Sequence, residues 1–178
     1  NRVSVERVIS GPGLATLYEF ISARLPEKVI PTVHAAIEAA GEMKGKVIAG
    51  HSSPTGTAKP HCTLCEWVMK TFASAYGAEA GVAALKWIPL GGLYIAGGLT
   101  PKNLDLLKGA NSAFMQAFHD KGRVSPLLKR VPVHAVLAED IGQRGAHLVA
   151  FRLLLKLQGQ ALAQPPAPLK PKMLSDMG

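Results

Sequence analysis

The sequence predicts an α/β fold. Segments with apolar residues three and four apart alternate with two short apolar stretches that read as strands, Gly92 to Gly98 and Val131 to Ala138. Hydrophobic residues make up 48% of the 178, enough for one sizeable core, and charged residues only 18%, too few for a largely disordered chain. With only two strands legible, the sheet lacks the early strands that such a fold needs.

The elements follow in order. Ser4 is positioned to cap a short helix over Val5 to Ser10, with Glu6 in its first turn. Gly11-Pro12-Gly13 ends that helix and starts another, with Leu14, Leu17, Tyr18 and Ile21 on one face. Thr32 caps a run from Val33 to Ala40. Residues 41–60, rich in Gly, Ser, Thr, Pro and Lys, read as a long surface loop inserted into the domain. A long helix covers Cys62 to Leu85, carrying Trp67, Val68, Phe72, Tyr76 and Val82, with Gly77 and Gly81 allowing close backbone approach. After the first strand, whose Leu93 to Ala96 should be buried in a mixed sheet, Asn103 to Lys108 and Ser112 to His119 are helical. Gly142 opens a last helix, with Ala146, Val149, Leu153 and Leu157 on its apolar face. From Gln158 the chain is Pro-rich and predicts a disordered tail.

Composition narrows the function classes. Lys and Arg exceed Asp and Glu by 20 to 12, but the surplus is scattered (Lys28, Lys44, Lys46, Lys108, Lys121, Arg123, Lys129, Arg130). That predicts a solvated basic face and no nucleic-acid partner. Trp87 to Leu99, the most apolar stretch, contains Pro89 and is too short to span a bilayer, so no membrane partner is expected. Cys62 and Cys65 form a lone C-x-x-C without a second ligand pair. They read as buried or idle thiols of a reducing, cytoplasmic compartment rather than as a zinc site or redox pair, and no metal ligands are assigned. The first residues, Asn1-Arg2-Val3-Ser4, lack a Met and resemble the interior of a domain, so they carry no information on a signal or transit peptide. His119, His134 and His147 read as structural, and Asp120, Glu139 and Asp140 as caps near loop ends.

Two segments carry chemistry. The first, Val3-Ser4-Val5-Glu6-Arg7-Val8-Ile9-Ser10-Gly11-Pro12-Gly13-Leu14, sets a carboxylate beside a glycine turn that leads into a helix. A carboxylate accepts charge-assisted hydrogen bonds from hydroxyls, and bare glycine amides suit phosphate or nucleotide. The second, Gly91 to Pro101, is a strand ending in a glycine pair, where a planar ring or a phosphate can approach the backbone. Each taken alone is more simply a helix-dipole acid or a tight turn.

Together and in this order, the two segments resemble the bacterial-type glucokinases of the sugar kinase, Hsp70 and actin superfamily. The resemblance continues through Ala117-Phe118-His119-Asp120-Lys121-Gly122-Arg123, Val131-Pro132-Val133 and Gly145-Ala146-His147-Leu148, and covers Val3 to about Leu155 outside residues 41–60. It implies an actin-like (ribonuclease-H-like) large domain and phosphorylation of glucose by ATP with Mg²⁺. In such an enzyme Glu6 binds glucose hydroxyls, Gly11 lies near the nucleotide, and Gly97 and Gly98 line the adenosine pocket. The catalytic Asp, the E-x-x-H sugar ligands and the phosphate-binding D-x-G-G-T segment lie upstream in the family, so this chain holds no catalytic base. Residues 1–138 would then be the C-terminal part of the large domain, 139–157 a helix returning to the small N-terminal domain, and 158–178 the tail. The partners implied are glucose, ATP, the missing half or a chain carrying it, and a second copy in a homodimer. The alternative reading is a non-catalytic sugar-kinase-like scaffold subunit.

Overall fold

The computed structural model describes residues 4–159 and 173–174 of the chain, a mixed α/β and mostly helical arrangement. A 3₁₀ turn over Val5–Arg7 precedes α1 (Gly11–Arg24), α2 (Pro31–Ala39), α3 (Lys44–His51) and the long α4 (Thr63–Trp87). Then come β1 (Leu93–Ile95), α5 (Leu99–Lys102), α6 (Leu104–Leu107), α7 (Ala113–His119), α8 (Ser125–Leu128), β2 (Val133–Ala135) and α9 (Ile141–Leu157). The two strands pair parallel, Leu93 opposite Val133 and Ile95 opposite Ala135.

The α4 helix organises the core. Its first half contributes Val68, Met69 and Phe72 to a cluster with Leu14, Tyr18, Val33, Ile37 and Ile48. Its second half contributes Ala80 and Ala84 to a cluster with Ile95, Phe114, Phe118, Leu128 and Val133. Tyr76 joins them, tilted against Phe72 and edge-on to Phe114 at 5.4 Å between ring centres. Burial of each large apolar side chain stabilises by roughly 1.5–3 kcal/mol. The small residues of α4 let α7 approach. A Cβ at Gly77 would lie 2.0 Å from the Phe114 carbonyl oxygen.

Several expectations are corrected. Residues 41–60 are not one loop. Gly41–Met43 is a 3₁₀ turn and α3 follows, burying Ile48 and His51, because Gly45 brings α3 onto the Gly11 carbonyl, 2.8 Å from where a Cβ would stand. Only residues 52–60 run without regular structure. The helix expected over Val5 to Ser10 is the shorter 3₁₀ turn, and the Ser4 side chain caps nothing. Thr32 is not a cap either, since α2 starts on Pro31, whose fixed φ suits a first helical turn. The strand is buried only at Ile95. Tyr94 is 54% exposed and Ala96 exposed, because a two-stranded sheet leaves one face of β1 uncovered. The expected mixed sheet is this parallel pair plus one antiparallel bridge, His134 to Met173. The expected tail is described at residues 158–159 and 173–174, where Leu174 is fully buried. The rest of it, 160–172 and 175–178, lies outside the described residues. The α9 helix buries no residue, and Ile141, Leu148, Val149, Phe151, Leu153, Leu154 and Leu157 stand exposed. Among the described residues no helix is long and apolar enough to cross a membrane.

Candidate functional site

The first part of the site is built around Ser10. Its extended backbone makes it the cap of α1, and its hydroxyl accepts from the Gly13 amide at 2.9 Å. The same hydroxyl donates to the Glu6 carbonyl at 2.7 Å. One side chain thus ties the turn that carries Glu6 to the first turn of α1. Gly13 makes this possible, because a Cβ there would fall 2.5 Å from the Val8 carbonyl oxygen. Glu6 is exposed, and among the described residues its carboxylate makes no hydrogen bond or ion pair. Gly11 is half-buried, with open space where a Cβ would stand.

The second part is the turn after β1. Gly97 has φ +104, a conformation that side chains rarely adopt, and nothing lies within 4 Å of a Cβ placed on it. The Thr100 amide donates to the Gly97 carbonyl at 3.0 Å and closes the turn into α5. Gly98 faces the Lys102 Nζ at 3.5 Å and the Glu139 Oε2 at 3.7 Å, measured from its Cβ position. Those two side chains pair at 3.3 Å, mostly exposed, a contact worth no more than about 1 kcal/mol. The turn therefore presents bare backbone to one side and a cation–anion pair to the other. Glu139 is not an isolated cap. No local signal in the sequence links it to Lys102, because helices α6, α7 and α8 and strand β2 intervene.

Glu6, Gly11, Gly97 and Gly98 do not touch one another through these positions. They are related through the core, since Leu99 after the glycine pair packs on the cluster that holds Leu14 of α1. The two thiols stand apart from both segments. Cys62 and Cys65 are fully buried and free, and burial pushes the Cys65 thiol well above its ordinary range. A buried neutral thiol is a poor nucleophile and a poor ligand. Among the described residues no group of three or more His, Cys, Asp or Glu stands together.

The glucokinase family pattern matches residues 1–153. A glucokinase of Nostoc sp. is 42% identical over 156 residues, covering 85% of this chain and 45% of the relative. One from Synechocystis is 38% identical over 153 residues, covering 84% and 42%. A glucokinase of Yersinia pestis is 35% identical over 147 residues, covering 81% and 39%. The chain thus spans less than half the length of these relatives.

Proposed function

The chain belongs to the glucokinase family, and on that premise we propose that it is the C-terminal half of an ATP-dependent glucose kinase. Its fold is then part of an actin-like large domain, and α9 is the helix that returns to the small domain. Glu6 holds glucose, Gly11 lies near the nucleotide, and Gly97 and Gly98 form the adenosine side of the cleft. The observation that carries the reading is Glu6 itself. In a chain with eight more cations than anions, this exposed carboxylate has no partner among the described residues, yet Ser10 holds its backbone at a helix start. An unpaired carboxylate on a fixed turn is free to accept the hydroxyls of a sugar.

ATP fits the second segment in one respect. Gly97 and its left-handed turn leave the backbone open to a planar ring. Mg²⁺ does not fit the described residues, which offer no carboxylate cluster, so no step is assigned to it here. The residues of this chain bind and orient, and the proton of the attacking glucose hydroxyl goes to an Asp upstream of them. Much of the rate enhancement in phosphoryl transfer comes from such positioning. Two buried free thiols suit a reducing compartment such as the cytoplasm.

The test is Glu6→Gln in the complete enzyme. Hydrogen bonds to a charged acceptor contribute roughly 1.5–3 kcal/mol. The glucose KM should therefore rise by about one to two orders of magnitude, with the ATP KM nearly unchanged. A glucose KM within about twofold of the parent would reduce Glu6 to a helix-dipole residue.

A further inference from the structure

We propose that the segment at Met173–Leu174 is a built-in strap, occupying in cis a strand edge and apolar socket beside β2. Three observations converge on it. His134 pairs with Tyr94 of β1 on one side and with Met173, antiparallel, on the other, so the strap lies on the outer edge of β2. The Leu174 side chain has no exposed surface and is part of the cluster with Leu107, Phe114, Leu128 and Val133. The Leu174 carbonyl accepts from the Gly109 amide at 2.9 Å, in the turn that follows α6. One leucine thus joins three pieces of chain far apart in sequence: the edge strand, the turn after α6 and the C-terminal segment.

This placement has a physical purpose. A strand with a bare edge pairs readily with any extended chain that meets it, including the same edge of a second copy. A backbone partner and an anchored leucine from the same chain fill that edge first. The strap lies beyond residues 1–153, the part that matches the glucokinase family, so it does not rest on the kinase reading.

Hydrogen exchange on the full chain tests it at the Gly109 amide. In Leu174→Asp that amide should exchange about tenfold faster or more than in the parent, as expected when a local closure opens. In Leu174→Ile it should stay close to the parent. The Phe72 amide, in the other cluster, serves as a control for overall folding and should not change. If Leu174→Asp also releases Phe72, Leu174→Ala is read by the same two amides. Equal Gly109 exchange in the parent and in the substituted chain that keeps Phe72 protected would overturn the proposal. So would a parent chain in which the Gly109 amide exchanges without protection.

Discussion

At Gly77 a methyl group has nowhere to go. Its Cβ would stand 2.0 Å from the Phe114 carbonyl oxygen, and at Gly81 2.5 Å from that of Phe118. Backbone cannot yield as a flexible side chain can, so Gly77→Ala should destabilise by about 1–3 kcal/mol or more, read by urea unfolding. Gly145 on α9 has nothing within 4 Å, and Gly145→Ala in this chain should stabilise by about 0.4–1 kcal/mol. Burial also sets the alkaline limit. It pushes the Tyr18 hydroxyl up to about 12, from 10.0, and moves the Cys65 thiol up from 9.0. The folded chain keeps these protons after the unfolded chain has released them. Their contribution is therefore complete below about pH 8 and is lost progressively as pH rises from there. The urea midpoint should fall between about pH 8 and pH 10.5, and Tyr18→Phe should lose less over that interval. The close approach at Gly77 and Gly81 was legible in the sequence, because small residues spaced along an apolar helix have few other uses. The part Ser10 plays at Glu6 was not. The sequence points to Ser4 as a cap and to Ser10 as a helix end, and only the backbone conformation shows that Ser10 is the residue that caps.

Among the elements, α4 shows what periodicity reveals and α3 what composition hides. The apolar repeat from Leu64 to Ala84 marks a helix plainly, although Trp67 and Val82, on the expected face, stand 37% and 40% exposed. The glycines and lysines before Val47-Ile48 read as loop, yet Gly45 is there for contact with α1 and the lysines face outward or pair with Glu38. Tertiary packing outweighed propensity. Ile88 marks the end of α4 with φ 43, a left-handed stop usually given to glycine. The α9 helix was legible as amphipathic, and its apolar residues find no cover among the described residues. Leu153→Lys should accordingly change the stability of this chain by no more than about 0.5 kcal/mol in thermal or urea unfolding. A loss of about 2 kcal/mol or more, the size expected for a core leucine, would show that α9 packs on this chain after all.

At the scale of the molecule, the described residues form two apolar clusters on one long helix, a two-stranded parallel sheet and a last helix that is uncovered among them. The order of the motifs was legible because several spaced segments keep one register, which no single turn or acid could establish. How far a sheet extends was not, because only two apolar stretches read as strands, and the described residues form the pair β1 and β2 from them. The chain aligns with less than half the length of its relatives and leaves a helix face bare among the described residues, and the proposal that it is one part of a longer kinase rests on both. The direct test is a coupled assay with glucose and ATP on two purified polypeptides: this chain of 178 residues, and a longer one in which the family's upstream half precedes it. The account predicts glucose phosphorylation by the longer polypeptide and only the uncatalysed background from the chain alone, since positioning without the base is not enough. Turnover by the chain alone would place a base within it and contradict the account. Inactivity of the folded longer polypeptide would favour the scaffold reading instead.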